Sequence, residues 1–282
     1  MVMKNMTESQ QLLIEQTLSQ AKKAMKHGNT AIAFQLFNTV LHQQPDHLVA
    51  KKGICQLQKM ITKNPTVQIE IVDPSSDQIN ALVNLYYTGQ MIQTEQACNG
   101  LLQTYPQSLV VINLLGASLQ GQGKLQEAVE SFDKVIELKP DYAAAYSNRG
   151  AVLKELGQLE KAVENYHQAI QLQPDYTDAY YNLGIALQEL EQLVEALESF
   201  NKAIQLKPDY TEAYSNRGAI LQKLGQLDQA VENYDKAIQL NPDYAEAYNN
   251  RGNALKELGL LDQAVKNYDK AIQLKPDYAK AY

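Results

Sequence analysis

The chain has 282 residues, of which 45% are hydrophobic and 20% charged, a balance typical of folded proteins. Its net charge of −7 disfavours a nucleic-acid-binding surface, because such surfaces are built on clustered lysine and arginine. Its two cysteines, Cys55 and Cys98, predict neither a disulfide framework nor a zinc site, and no secretory signal or membrane span is evident, so we expect a cytoplasmic protein.

Residues 1–61 are predicted to form a small helical element. Within it, residues 14–47 carry in divergent form the 34-residue pattern that recurs downstream. The matching offsets are occupied by Ala24, Gly28, Ala33, Phe37 and Pro45. A further helix is predicted from Leu48 to about Met60.

Residues 62–76 are predicted to form a linker, because they contain two prolines and have polar ends. Val67, Ile69 and Ile71 alternate with polar residues, a pattern compatible with pairing as a short strand. The linker separates the N-terminal element from the array that follows, residues 77–282.

The array consists of a sequence pattern with a period of 34 residues, which predicts helical units stacked into a solenoid. In the unit Ala143–Tyr176, two sets of apolar residues at helical spacing predict a hairpin of helix A and helix B. The six predicted repeats are 75–108, 109–142, 143–176, 177–210, 211–244 and 245–278. Residues 279–282 match the start of another helix A, so we expect the sequence to be a fragment.

The residues between the helices predict how each hairpin turns and ends. Gly157 suits a tight turn after helix A because glycine tolerates positive φ, and Pro174 ends helix B. Asp175 is predicted as the N-cap of the next helix A, and Asp209 with Glu212 as a capping box.

Small and aromatic residues at fixed offsets predict the packing of the hairpins. Gly150 and Ala162, with their equivalents, allow helices A and B to approach closely. An aromatic column is predicted to fill the gap between neighbouring hairpins: Phe132, Tyr166, Phe200, Tyr234 and Tyr268. Arg149, Arg217 and Arg251 are interpreted as structural, with a packed stem and a guanidinium that reaches a carboxylate or the helix edge; the alternative is anion binding.

One unit carries a nearly complete family pattern. Its residues are Tyr180, Leu183, Gly184, Leu187, Ala196, Phe200, Ala203 and Pro208. This order resembles the tetratricopeptide repeat over residues 109–278, and more loosely over 75–108, where Cys98 and Leu101 replace the aromatic residue and the second alanine. Glu191 stands where neighbouring units have glycine. The resemblance implies an all-α, right-handed superhelical α-solenoid whose A helices line a concave groove.

One polar column in that groove is uniform: Asn148, Asn182, Asn216 and Asn250. Asparagine is a poor residue for a helix interior, and its amide can pair with both the N–H and the C=O of an extended peptide. The column is similar to the asparagine ladder of the protein O-linked N-acetylglucosamine transferases, which implies peptide contact. The alternative is that the asparagines are inherited with the duplicated repeats and are merely tolerated.

Neighbouring groove positions complete the predicted peptide-binding site. Tyr181 is expected to bury part of a ligand, and Asp178, Glu212 and Glu246 add negative charge. Tetratricopeptide co-chaperones hold a C-terminal carboxylate with groove lysines, whereas the equivalent positions here carry none. A chaperone tail is therefore a disfavoured ligand, and a peptide of mixed charge is favoured.

The leading functional hypothesis is a protein-interaction scaffold that binds a peptide or partner segment in this groove. An alternative is a substrate-recruiting arm of a larger enzyme, because the layout resembles bacterial tetratricopeptide proteins that end in sulfotransferase or glycosyltransferase domains. Self-association through the C-terminal end is a third possibility. No catalytic constellation is recognised, and no cofactor or metal site is predicted, since His27, His42 and His47 share no helical face.

Overall fold

The computed structural model describes residues 8–27, 30–44, 46–63 and 73–276. These residues form α-helices joined by short turns and contain no strand, which confirms the predicted all-α class for them. The helices are α1 (Glu8–Lys26), α2 (Thr30–Gln43), α3 (Leu48–Lys63), α4 (Ser76–Tyr87), α5 (Met91–Thr104), α6 (Leu109–Gly121), α7 (Leu125–Leu138), α8 (Ala143–Glu155), α9 (Leu159–Leu172), α10 (Thr177–Glu189), α11 (Leu193–Leu206), α12 (Thr211–Lys223), α13 (Leu227–Leu240), α14 (Ala245–Glu257) and α15 (Leu261–Leu274). None of these helices has the length and apolar character required to cross a bilayer.

The chain divides into two compact units, Met1–Lys139 and Pro140–Tyr282. In the first unit, α1, α2 and α3 pack around a core that includes Ile14, Ala21 and Phe37. Phe37 packs on Gly53 of α3, where a Cβ would collide with its ring. The predicted helix from Leu48 extends to Lys63. The strand predicted at Val67, Ile69 and Ile71 lies outside the described residues, and the division at residues 62–76 remains a prediction.

The second unit contains the hairpins α8–α9, α10–α11, α12–α13 and α14–α15. Within it, helix B of each hairpin also packs on helix A of the next, as repeat stacking requires. Gly157 has φ 72° in the predicted turn, which is the left-handed conformation that favours glycine. Glu191 adopts φ 58° at the equivalent place, so that hairpin keeps the turn geometry without glycine. The further helix predicted from residue 279 lies outside the described residues.

Each aromatic residue of helix B packs on the glycine of its own helix A. A Cβ on Gly150 would lie 2.9 Å from Cε1 of Tyr166, and a Cβ on Gly184 would lie 2.7 Å from Cε1 of Phe200. Both rings are fully buried. The glycine therefore makes room for the ring inside its own hairpin. Tyr234 also shares a hydrophobic cluster with Ala254 of the next hairpin, in agreement with the predicted packing between hairpins.

The predicted caps at the start of helix A were wrong. The N-cap position of α10 is Tyr176 rather than Asp175, and no side chain caps the helix there. The same holds at Tyr210, so Asp209 and Glu212 form no capping box. A capping box does occur at Ser75 and Gln78 in the first unit. The tyrosine that precedes helix A instead directs its ring toward the preceding hairpin, as its contacts below show.

The hydroxyl of Tyr166 differs from its equivalents. Tyr234 donates to Gln222 Oε1 at 3.1 Å and Tyr268 donates to Asn253 Oδ1 at 2.9 Å, whereas the buried Tyr166 hydroxyl finds no acceptor among the described residues. We therefore expect Tyr166→Phe to raise the free energy of unfolding by about 1 kcal/mol, because it removes an unsatisfied donor, and Tyr234→Phe to lower it by about 1 kcal/mol. Urea unfolding followed by circular dichroism measures both. Equal losses for the two variants would contradict this assignment.

Candidate functional site

The four A helices of the second unit lie side by side. Direct contacts join α8 to α10, α10 to α12 and α12 to α14. Each repeat is counted here from its first residue, Ala143 in the unit 143–176, so that the predicted asparagine column occupies the sixth position. Residues at one position recur on neighbouring helices because the hairpins repeat, and they therefore form a row across the A helices.

The side chains of the asparagine column are half-buried, and hydrogen bonds within the protein use part of their capacity. Asn148, Asn182, Asn216 and Asn250 are all neither buried nor fully exposed. Asn216 Nδ2 donates to Tyr181 Oη of the preceding A helix at 3.1 Å. Asn250 Oδ1 accepts from Asn249 Nδ2 at 3.3 Å. Since one amide offers two N–H donors and an oxygen with two lone pairs, each of these bonds uses only part of its capacity.

Tyr181 is the exception at the fifth position. Its equivalents Ser147 and Ser215 are buried and hydrogen-bonded to the tyrosines that precede the next A helix, Tyr176 and Tyr244. At this position α8 and α12 carry serine, α14 carries Asn249, and α10 carries the half-buried Tyr181. Sequence reasoning identified Tyr181 but missed this interruption of the serine–tyrosine pairing.

The replacement reorganises the aromatic residues around Tyr181. Its ring lies 4.7 Å from that of Tyr210, with an angle of 31° between them, and 6.0 Å from that of Phe200. The Tyr210 hydroxyl is hydrogen-bonded to Asp178 instead of to a serine. Lys207 Nζ lies 4.6 Å from the centroid of the Tyr210 ring. The result is a local aromatic cluster on an otherwise regular surface.

The three predicted acids lie at the second position of their helices and are exposed. Burial raises the pKa of Tyr181, and the negative charges of Glu212 and Glu246 raise it further. Burial likewise raises the pKa of Tyr244 to about 12, with added effects of Glu246, Tyr181 and Glu212. The tyrosines and the acids therefore share one negative region of the surface. Acids in a first turn are also favoured by the helix dipole, so this pattern alone does not specify a ligand.

Lysines lie farther along the same helices and are paired. Lys154 Nζ is 3.6 Å from Glu189 Oε1, and Lys223 Nζ is 3.2 Å from Glu191 Oε1. Charge across the A helices thus passes from acidic near their N-termini to mixed near their C-termini.

The arginines at the seventh position have a structural role. Arg149 Nε donates to Asn165 Oδ1 at 2.8 Å, and Arg217 Nε donates to Asn233 Oδ1 at 2.7 Å. Arg251 Nη1 donates to Asn267 Oδ1 at 3.2 Å. Each asparagine in turn donates to a backbone carbonyl of its own helix one turn earlier. These contacts agree with the structural interpretation of the arginines, and Arg251 also reaches a carboxylate, that of Asp235, as predicted. The amide partner in each hairpin was not singled out by the sequence analysis.

No group of three or more His, Cys, Asp or Glu residues within the described ranges is arranged to hold a metal ion. Cys98 is buried, and burial raises the pKa of its thiol to about 12, so it is a poor nucleophile and metal ligand at neutral pH.

Models of the tetratricopeptide repeat match the chain continuously from residue 121 to 278, in the segments 121–157, 152–191, 177–210, 199–232, 223–259 and 245–278. The matches 177–210 and 245–278 have the bounds of two predicted repeats. The comparison with curated proteins finds no match.

Solved structures with a similar fold include a tetratricopeptide protein. The chain is similar to YrrB, described as a TPR protein with an unusual peptide-binding site, at 26% identity and TM-score 0.55 over 66% of this chain and 96% of that one. It is similar to MamA at 28% identity and TM-score 0.55, over 59% and 97% of the two chains. The pilF protein of Pseudomonas aeruginosa shares the fold at 20% identity and TM-score 0.65, over 73% and 93%.

Tetratricopeptide arrays are scaffolds that bind protein or peptide partners, and the packed hairpins described above have the form of such a scaffold. The glycine–aromatic contact in each hairpin, the turns at positive φ and the continuous matches all point to one assignment. The chain belongs to the tetratricopeptide repeat family.

Proposed function

We propose that the A-helix surface of the second unit binds an extended peptide segment of a partner protein, with the asparagine column as its backbone contact. The observation that carries the proposal is the row of half-buried amides at one position of four neighbouring helices, of which Asn216 already makes a hydrogen bond across to the adjacent A helix. An amide held in this way offers both donor and acceptor to a peptide backbone, whatever side chains the peptide carries.

The groups beside the column favour a ligand that contains a basic or polar side chain next to an apolar one. Asp178, Glu212 and Glu246 are exposed and form no ion pair with a described lysine or arginine. The rings of Tyr181 and Tyr210 offer an aromatic contact beside them. The peptide-binding description of YrrB, at 26% identity, supports the same class of ligand.

The affinity of the column alone is limited. A neutral hydrogen bond contributes about 0.5–1.5 kcal/mol, so the column supplies only a few kcal/mol, and a useful affinity requires side-chain burial as well. Loss of two amides is therefore expected to weaken binding by about tenfold or more.

The test uses the full chain and a random peptide library. Peptides selected on the wild-type chain are measured by calorimetry against Asn182→Ala with Asn216→Ala, and we expect a loss of about tenfold or more. The matched control is His167→Ala with Gln171→Ala, which changes exposed residues of α9. Unchanged affinity in the asparagine variant, with its circular dichroism spectrum also unchanged, would show that the column is not the binding site.

A further inference from the structure

A cavity of about 310 Å³ lies in the first unit between α5, α6 and α7. Its floor is apolar and includes Leu102, Leu115 and Leu119. Asn99 and Ser131 also line it and supply hydrogen-bonding groups. Three carboxylates also line it, those of Glu95, Glu127 and Glu130, against a single lysine, Lys134. The cavity therefore combines an apolar floor with an acidic rim.

The same place in two later repeats holds a guanidinium group. Arg217, at the seventh position of its repeat, donates to Asn233 of its own hairpin at 2.7 Å and to Asn201 of the preceding hairpin at 2.8 Å. Its Cζ atom lies 5.3 Å from the centroid of the Tyr214 ring. Arg251 repeats the arrangement with Asn267 and with the carboxylate of Asp235, which lies 2.7 Å from its Nε atom.

The cavity has these positions with the arginine replaced. In repeat 109–142 the seventh position is Leu115, and the fourth is Ile112 in place of Tyr214. Ser131 occupies the position of Asn233 and Asn267, which accept from the guanidinium. Asn99 of the preceding hairpin occupies the position of Asn201 and Asp235, which contact the guanidinium from the hairpin before it. These four residues all line the cavity. The smaller side chains of Leu115 and Ser131 thus leave space where the later repeats have a guanidinium. Ser131 and Asn99 still provide hydrogen-bond acceptors at the positions of its two partners.

The charge around the cavity also differs from that of the later repeats. Glu95 occupies the position at which later repeats have Val163, Leu197 or Val231. Lys124 holds Glu95 at 2.7 Å, and this pairing, together with a hydrogen bond from Gln122, lowers the pKa of its carboxyl. Glu127 and Glu130 of α7 are exposed and also line the cavity. The three carboxylates exceed the two lysines beside them, Lys124 and Lys134, by one negative charge, which favours a cation.

We propose that this cavity binds an arginine side chain of a partner protein, which takes the place that Arg217 and Arg251 have in their own repeats. The aliphatic stem lies on Leu115 and Leu119, and the guanidinium donates to Asn99, Ser131 and Glu130. Arginine is preferred to lysine because its planar fork supplies several donors to separate acceptors, whereas an ammonium is a compact and strongly hydrated charge. The site is formed by helices that do not carry the asparagine column, so the outcome of a test on one proposal does not decide the other.

The direct test titrates N-acetylarginine amide into the full chain with labelled methyl groups. Nuclear magnetic resonance is expected to show saturable shifts of the Leu102, Leu115 and Leu119 methyls, with a dissociation constant on the order of millimolar for one charge-assisted contact set. N-acetyllysine amide and N-acetylcitrulline amide are the matched ligands, and we expect both to bind several-fold more weakly. Absence of saturable shifts, or equal shifts with all three compounds, would overturn the proposal.

A variant that fills the cavity from within supplies the second test. Leu115→Arg with Ser131→Asn recreates the arginine–asparagine pair of the later repeats and is expected to abolish the shifts. Its control, Leu183→Arg with Ser199→Asn, makes the same change in repeat 177–210 and should leave binding intact. Should the filled variant fail to fold, Glu127→Gln with Glu130→Gln at exposed positions is expected to weaken binding by at least threefold. Full binding by the folded filled variant, or by the glutamine variant, contradicts the site.

Discussion

Gly184→Val is expected to be among the most destabilising single substitutions in the second unit. A Cβ at residue 184 would lie 2.7 Å from the Phe200 ring, and that ring is fully buried, so neither group has room to move. Overpacking of this kind costs about 1–3 kcal/mol, and valine adds two further methyl groups beyond the Cβ, so we expect a loss near 3 kcal/mol in the free energy of unfolding. Urea unfolding monitored by circular dichroism measures the change.

The chain offers a matched control at Gly100. This glycine is also helical, but a Cβ there would meet no atom within 4 Å, so Gly100→Val is expected to change stability by less than about 0.5 kcal/mol. Combining Gly184→Val with Phe200→Ala should cost less than the sum of the two, because removal of the ring makes the space that valine needs. Strict additivity of the two changes would contradict the assigned contact.

Asn233→Ser is expected to cost about 2 kcal/mol, because it withdraws an acceptor from a half-buried guanidinium. Burial lowers the pKa of Arg217, which reflects the same desolvation. The chain itself suggests the compensating change, since repeat 177–210 has Leu183 and Ser199 at these two positions. Arg217→Leu with Asn233→Ser should therefore recover most of the loss. Thermal unfolding of the four members of this double-mutant cycle measures the coupling.

One result would contradict the coupling between Arg217 and Asn233. If Arg217→Leu with Asn233→Ser is as unstable as Asn233→Ser alone, the arginine and the asparagine do not act as a pair. The exposed Asn201 provides a control, because Asn201→Ser removes only the more exposed contact of the same guanidinium and is expected to cost less than about 1 kcal/mol.

The sequence was sufficient for the features that depend on local chemistry and on the period. The hairpins, the turn at Gly157 and the family followed from residues that recur in register, because a repeated pattern averages out local ambiguity. The predicted cap at Asp175 was wrong because the N-cap position is taken by the hydrogen-bonding tyrosine that follows it, so the helix starts one residue later. That choice depends on Ser147 in the preceding hairpin, a contact of long sequence separation.

The candidate site was predictable in composition and less so in arrangement. The asparagines and acids could be assigned to one surface by their spacing, and contacts such as that of Asn216 with Tyr181 agree with this placement. Their role in binding remains a prediction. The cavity beside Leu115 could not be anticipated, since it depends on the absence of side-chain volume at several positions from three helices. A signal was present in the sequence, because arginine at the seventh position accompanies asparagine sixteen residues later, and leucine accompanies serine.

The arginine contacts also bear on how such an array can gain units by duplication. Arg217 takes one acceptor from its own hairpin, Asn233, and a second from the hairpin before it, Asn201. Arg251 likewise donates to Asn267 of its own hairpin and forms an ion pair with Asp235 of the hairpin before it. A tandem copy of residues 211–244 would keep both contacts, because the copied arginine would follow a hairpin that carries Asp235 in its helix B. A copy of the same segment placed after residue 176 would meet His167 at that position instead. A copied hairpin therefore keeps both contacts of its arginine only where the hairpin before it carries an amide or a carboxylate at this position.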